Sequence, residues 1–224
     1  MQLTFSTTAV GVLFLTAGAA KLYSFRGFVS SLGEYAWVMV FDTSRLWCAY
    51  ATLLLRLYPD ARLICCVRSP AWIIDSIERL VHRNAFLVPK LFPPDAANVY
   101  TRAETLMKGG MVGSSLQGLR QAWFAETGGR LIAIQYDSLS SRPAEVLGRI
   151  YQILGEPPFP HRFDDVEYDA TEFDMRLNMP GLHRVAKRVE LVQRRTILPP
   201  ELFGQFDNCF WSEPESNPNN HIVL

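Results

Sequence analysis

Apolar residues in this chain fall into short continuous runs and longer stretches of helical spacing, and the two kinds alternate. Residues 62–67 (RLICCV) form one continuous run, the pattern of a strand buried on both faces. Residues 131–136 (LIAIQY) form another, introduced by Gly128-Gly129. Helical spacing appears first at Leu46, Tyr50, Leu53, Leu54 and Leu57, and stops at Pro59-Asp60. It returns after the turn Arg68-Ser69-Pro70, where proline near the first helical position opens a helix through Trp72, Ile73, Ser76, Ile77 and Leu80. Residues 99–126 are helical with a break near Gly109-Gly110, and residues 143–154 carry Val146, Leu147, Ile150 and Ile153 before Gly155 and Pro157-Pro158 end the pattern. Strands alternating with helices predict an α/β fold with a mainly parallel sheet.

The two ends differ from this middle. Residues 8–20 are almost free of charge, too short for a comfortable membrane span, and lack the preceding Lys or Arg of a secretory signal. Val10, Val12, Phe14 and Leu15 bounded by Gly18 read as a buried strand entering a glycine turn. A second short run, residues 38–41, ends at Asp42-Thr43-Ser44-Arg45. Residues 156–178 are acidic, aromatic and proline-rich, residues 181–195 are basic, and residues 211–224 read as a loosely packed Pro/Asn/Ser-rich terminus.

Composition narrows the function classes. The chain has 224 residues, with 22 Lys+Arg against 22 Asp+Glu. That balance argues against a dedicated nucleic-acid binder, whose affinity rests on an excess of basic residues. A hydrophobic fraction of 49% excludes a disordered or fibrous chain. The four cysteines, Cys48, Cys65, Cys66 and Cys209, suit neither a disulfide framework nor a zinc site. Cys65 and Cys66 read as buried strand thiols in a reducing, cytoplasmic compartment.

Candidate chemistry lies at the strand exits, because ligands of open parallel sheets sit outside the carboxyl ends of the strands. Arg68 leaves its strand immediately before a helix start, whose free N–H groups favour a phosphate, and Ser76 stands eight residues on, about two helical turns away. A guanidinium fork and a hydroxyl are both good phosphate donors. The plain alternative is an arginine ending a strand and a serine on a solvated helix face. Asp42, with Arg45 beside it, is the candidate general base by position, or else the cap of the helix that follows. His183, in the basic segment, is either a nucleotide neighbour or a surface residue, whereas Trp72, Trp123 and Trp211 read as packing residues.

The run 58–80 (YPDARLICCVRSPAWIIDSIERL) resembles the 3′-phosphate-binding segment of sulfotransferases, with its hydrophobic strand, arginine (Arg68) and serine eight residues on (Ser76). Residues 131–139 (LIAIQYDSL), Arg142-Pro143 and residues 150–155 (IYQILG) resemble the family's next strand and helix. Residues 181–189 and 196–203 resemble its carboxyl-terminal lid. The resemblance covers roughly residues 38–211 and is strongest to bacterial members related to the tyrosylprotein type.

It implies a three-layer, P-loop-NTPase-like α/β fold whose amino-terminal part is incomplete. Residues 1–37 would be divergent or truncated, residues 38–211 the sulfotransferase-like domain, and residues 212–224 a tail. It implies 3′-phosphoadenylyl sulfate as co-substrate, no metal, and transfer to a hydroxyl or amine of a small molecule or peptide. By the same resemblance Arg68, Ser76, Tyr136, Lys187 and Arg195 would contact the nucleotide.

One part of the family pattern is missing. Its members open with a strand and a Pro-Arg-Ser-Gly-Ser/Thr-like loop that cradles the 5′-phosphosulfate with backbone N–H groups. The nearest sequence here, residues 15–21 (LTAGAAK), has one glycine and Lys21 but no arginine and no Ser/Thr pair. The resemblance therefore leaves two readings, an active enzyme and a non-catalytic or fragmentary relative that keeps the nucleotide site. A P-loop kinase is disfavoured, since neither a Walker lysine loop nor a metal carboxylate in context is present. Residues 81–100, with Phe86, Phe92 and Pro93-Pro94, offer either an apolar acceptor pocket or a packing or homodimer surface.

Overall fold

A computed structural model of the chain describes residues 47–224 other than 169. The strands expected near residues 10–15 and 38–41, Lys21, and the pair Asp42 and Arg45 lie outside the described residues. A 3-10 turn, Trp47–Tyr50, leads into helix α1, Ala51–Leu57. Strand β1, Leu63–Val67, is followed by α2, Pro70–Arg83, with its proline in the first turn, where a missing N–H costs nothing. Next come α3, Val99–Met107, and α4, Met111–Phe124. Gly109, at φ +91°, makes the break between them, a backbone conformation open to glycine. Asn98 caps α3 by accepting from the Thr101 amide at 3.0 Å, while the Thr101 hydroxyl accepts from the Asn98 amide in return.

Strand β2, Leu131–Gln135, passes directly into the short helix α5, Tyr136–Ser141, and then α6, Pro143–Leu154. Gly155 ends α6 in the left-handed region at φ +72°. Two short helices follow, α7, Thr171–Arg176, and α8, Pro200–Phe206. The chain ends with 3-10 turns and strand β3, Ile222–Val223. The three strands form one parallel sheet in the order β1-β2-β3. The protein is thus an α/β fold with a small parallel sheet flanked by helices, as expected.

The central strand explains why its sequence runs apolar without alternation. Leu131 and Ala133 face a core shared with α1, α4 and the buried Phe210 and Trp211. Ile132 and Ile134 face the opposite core, built on Val146 and Ile150 of α6. Both faces are covered, and burying each isoleucine is worth about 1.5–3 kcal/mol. A third core joins α2, α3 and α8 through Ile74, Ile77, Leu106 and Leu202.

Two expectations are corrected. β1 is buried on one face only: Leu63 and Val67 are in the core, Ile64 is 38% exposed and Cys66 is exposed. Among the described strands β1 is at the edge, and α6 packs against residues of β2 and β3 rather than against this face. Cys65 points inward and meets Cys48, sulfur to sulfur, at 3.0 Å. The terminus, in turn, is packed rather than loose. Asn219 donates to the Trp123 and Ala125 carbonyls at 2.9 Å, His221 is buried against Trp123, and Ile222 and Val223 extend the sheet.

Candidate functional site

Parallel register assembles the site. Val67 and Gln135 are partners at the ends of β1 and β2, so the residues after them, Arg68 and Tyr136, leave the sheet side by side at its carboxyl edge. The Arg68 guanidinium carbon lies 3.9 Å from the centre of the Tyr136 ring and 5.9 Å from that of Trp72. Arg68 Nε is buried and has no hydrogen-bond partner among the described residues.

Ser76 lies on α2, its Oγ donating to the Trp72 carbonyl at 2.9 Å and accepting from Arg194 Nη2 at 2.6 Å. The Arg194 guanidinium lies 5.8 Å from the Trp72 ring centre, so the two arginines share one indole. Arg194 Nε is likewise buried without a partner among the described residues. Burial and the neighbouring Arg79 and Arg68 guanidinia push Arg194 below the ordinary arginine range, against the pull of Asp75. The group still stays protonated, as arginines in proteins do.

Two structural ties bring this carboxyl-terminal arginine to the amino-terminal half of α2. Ser69 donates to Asp207, just past α8, at 2.6 Å, and Trp72 meets Phe203 of α8 edge to face at 5.2 Å. Asp75, fully buried, pairs with Arg79 and Arg194, each at 2.9 Å. Burial alone would raise the Asp75 pKa, but hydrogen bonds from the Ile197 amide, Arg79 and Thr196, with the Arg194 charge, hold it below the ordinary carboxylate range.

The electrostatic balance of the described residues is positive. Among them Arg68, Arg79 and Arg194 set three positive charges against the one negative charge of Asp75, a surplus of two. A buried N–H without a partner costs about 1–3 kcal/mol, and more on a charged group. Two such groups on neighbouring guanidinia, beside a serine hydroxyl, fit a dianion rich in acceptor oxygens, such as a phosphate monoester. Among the described residues no group of three or more His, Cys, Asp or Glu side chains is placed to hold a metal ion.

Of the residues singled out by sequence, Arg68, Ser76 and Tyr136 come together here. Lys187 and Arg195 are exposed. Lys187 gives its carbonyl to the Val166 amide at 2.8 Å, and the Arg195 carbonyl accepts from Arg79 Nη2. Arg194 takes the inward place beside its exposed neighbour, as successive side chains of a non-helical segment point to opposite sides. His183 is held by Asp174, its Nδ1 2.6 Å from Oδ1. Trp123 and Trp211 are buried as packing residues, whereas Trp72 is half-buried at the site. In the loop after α2, Phe92 belongs to the core, and Phe86 and Val88 are exposed.

Sequence reasoning missed Arg194, Trp72 and Asp75. A signal for Asp75 did exist: Ala71, Ile74, Asp75 and Glu78 have the spacing of one helical face, and all four are buried. An acid on an apolar stripe needs a cation, and Arg194 is one of those that answer.

A family model described as "Sulfotransferase family" matches residues 14–161, which takes in Arg68, Ser76 and Tyr136 and leaves Arg194 outside. The match also includes residues 15–21. No curated protein and no solved structure matches the chain.

Proposed function

The chain belongs to the sulfotransferase family, and from that membership we propose that it moves a sulfuryl group from 3′-phosphoadenylyl sulfate to a hydroxyl or amine of a small-molecule or peptide acceptor. The observation that carries the donor's identity is the pair of buried, unpartnered Nε–H groups on Arg68 and Arg194 beside Ser76. They fit the ribose-linked 3′-phosphate, the group that separates this donor from a simple adenylate. Tyr136 and Trp72 border the guanidinia and limit their motion.

In such a transfer the bond from sulfur to the 5′-phosphate oxygen breaks and one to the acceptor oxygen or nitrogen forms. The acceptor's proton passes to a base, for which Asp42 remains the candidate by sequence. Little covalent work falls to the protein, so positioning and charge stabilisation carry the rate. The free thiols of all four cysteines accord with a cytoplasmic setting. No helix among the described residues is long and apolar enough to cross a membrane.

Isothermal titration with adenosine 3′,5′-bisphosphate tests the site. Binding to the intact chain is expected, and its absence would overturn the proposal. A second reading, nucleotide binding without catalysis, is favoured by residues 15–21, which lack the arginine and Ser/Thr pair of a phosphosulfate loop. Transfer of ³⁵S from labelled donor to a panel of hydroxyl and amine acceptors separates the two. Turnover above the no-enzyme rate establishes the enzyme, and binding without turnover the relative.

A further inference from the structure

The proposed site depends on an arginine that the chain delivers 118 residues after Ser76. Arg194 belongs to no helix or strand, so regular structure does not hold it in place. A long side chain on an irregular segment loses much of its rotamer freedom on being fixed, which opposes the fixing. Something must therefore fix the segment before the arginine can serve a ligand.

We infer that Asp75 is a positioning residue that locks the segment 194–198 against α2 and thereby aims Arg194 at the 3′-phosphate subsite. This inference rests on the proposed nucleotide reading. Asp75 is 0% exposed and stands next to Ser76 in sequence, so its carboxylate enters the core beside the subsite. Its Oδ1 accepts from the Ile197 amide at 2.7 Å and from the Thr196 hydroxyl at 3.0 Å. Its Oδ2 meets Arg194 Nη2 and Arg79 Nε, each at 2.9 Å. The Thr196 oxygen in turn accepts from the Leu198 amide at 3.0 Å, and Leu198 is buried in the core of α2, α3 and α8. Backbone, hydroxyl and guanidinium of one short segment thus converge on a single carboxylate.

The geometry also divides the work within Arg194. Nη2 is committed to Asp75 and to Ser76, which leaves Nε as the buried donor without a partner. Asp75 therefore does not compete for the donor that the ligand would use. Its charge also offsets part of the repulsion among Arg68, Arg79 and Arg194, which would otherwise drive the segment outward.

A selectivity measurement tests the role. Adenosine 3′,5′-bisphosphate and adenosine 5′-monophosphate differ only in the 3′-phosphate, so the ratio of their dissociation constants reports the subsite alone. In the intact protein the bisphosphate is expected to bind at least tenfold more tightly. Asp75→Asn keeps the side-chain shape but removes the charge, and is expected to reduce that ratio about tenfold while changing monophosphate affinity less than twofold. In an Arg194→Ala background the same substitution should change the ratio less than twofold, since the group it positions is gone.

If Asp75→Asn does not fold, Thr196→Val, which removes one tie to the carboxylate, is expected to lower the ratio two- to fivefold. Equal weakening of both ligands by the folded variant would mean a merely structural carboxylate and would overturn the inference. An intact protein that binds the two nucleotides equally would instead overturn the underlying nucleotide reading.

Discussion

The described sheet has two strand-to-helix exits, and the helices beyond them place their charged residues differently. Both β1 and β2 are parallel and apolar; β1 leads into α2, which opens on Pro70, and β2 leads through the short α5 into α6, which opens on Pro143. On α6 the charged residues stay at the surface, where Arg142 and Glu145 pair across one turn at 3.0 Å with both side chains more than half exposed. On α2 the acids are buried. Asp75 reaches Arg194, and Glu78 binds Arg102 through both oxygens, at 2.9 and 2.5 Å. Both exits reach the candidate site, Arg68 from the first and Tyr136 from the second, but of the two helices it is α2 that carries buried charge. The difference lies in where the charged positions fall on the helix, since both helices open on proline.

Breaking a buried pair should therefore cost far more than breaking an exposed one. Glu78→Ala leaves Arg102 uncompensated, and urea denaturation is expected to show a loss of about 3–5 kcal/mol. Glu145→Ala should stay within about 0.5 kcal/mol of the parent. Similar losses at the two positions would erase the contrast.

Ligand binding sharpens the same comparison. Arg68→Ala removes a charged donor from the first exit and is expected to weaken adenosine 3′,5′-bisphosphate by about 1.5–3 kcal/mol, roughly 10- to 150-fold. Arg142→Ala, at the second exit, should leave the titration within about twofold of the parent. A smaller effect is expected for Ser76→Ala. It removes one neutral hydroxyl, worth about 0.5–1.5 kcal/mol, or about two- to tenfold in affinity.

The smallest expected effect is on acid stability. The folded-state pKa of Asp75 lies below its ordinary 3.8. Its contribution is fully present above that ordinary value and is lost as the pH falls through the depressed one. Thermal midpoints of the parent should thus fall more steeply below about pH 4 than those of Asp75→Asn. Parallel curves would show that the carboxylate contributes no such linkage.

How much of this could be read from sequence follows the same physics. β2 was legible because both of its faces are covered, which forces an unbroken apolar run. The helix break at Gly109 and the end of α6 at Gly155 were legible because each needs a positive φ. β1 carried the same apolar signal, yet Ile64 and Cys66 are open, because pattern alone does not say which strand stands at an edge of the described sheet. β3 has two residues, too few for any periodicity, and is positioned by Asn219 and His221 contacts made across the chain.

The site divides in the same way. Arg68, Ser76 and Tyr136 lie in ordered local motifs, so sequence reading grouped the three that the structure brings together. Arg194 was missed in favour of Arg195 because facing is set by the distant Asp75, with nothing in the local run of basic residues to choose between them. Trp72 resembles a packing residue in sequence, and its place beside two guanidinia depends on the same long-range tie.

The central claim is that two buried guanidinium donors, without partners among the described residues, take their acceptors from a 3′-phosphate. A crystal structure of the protein with adenosine 3′,5′-bisphosphate tests it most directly. The expected result places 3′-phosphate oxygens at about 2.7–2.9 Å from Nε of both Arg68 and Arg194, with Ser76 in reach. A nucleotide bound elsewhere, or bound here with both Nε–H groups still unpaired, would contradict it.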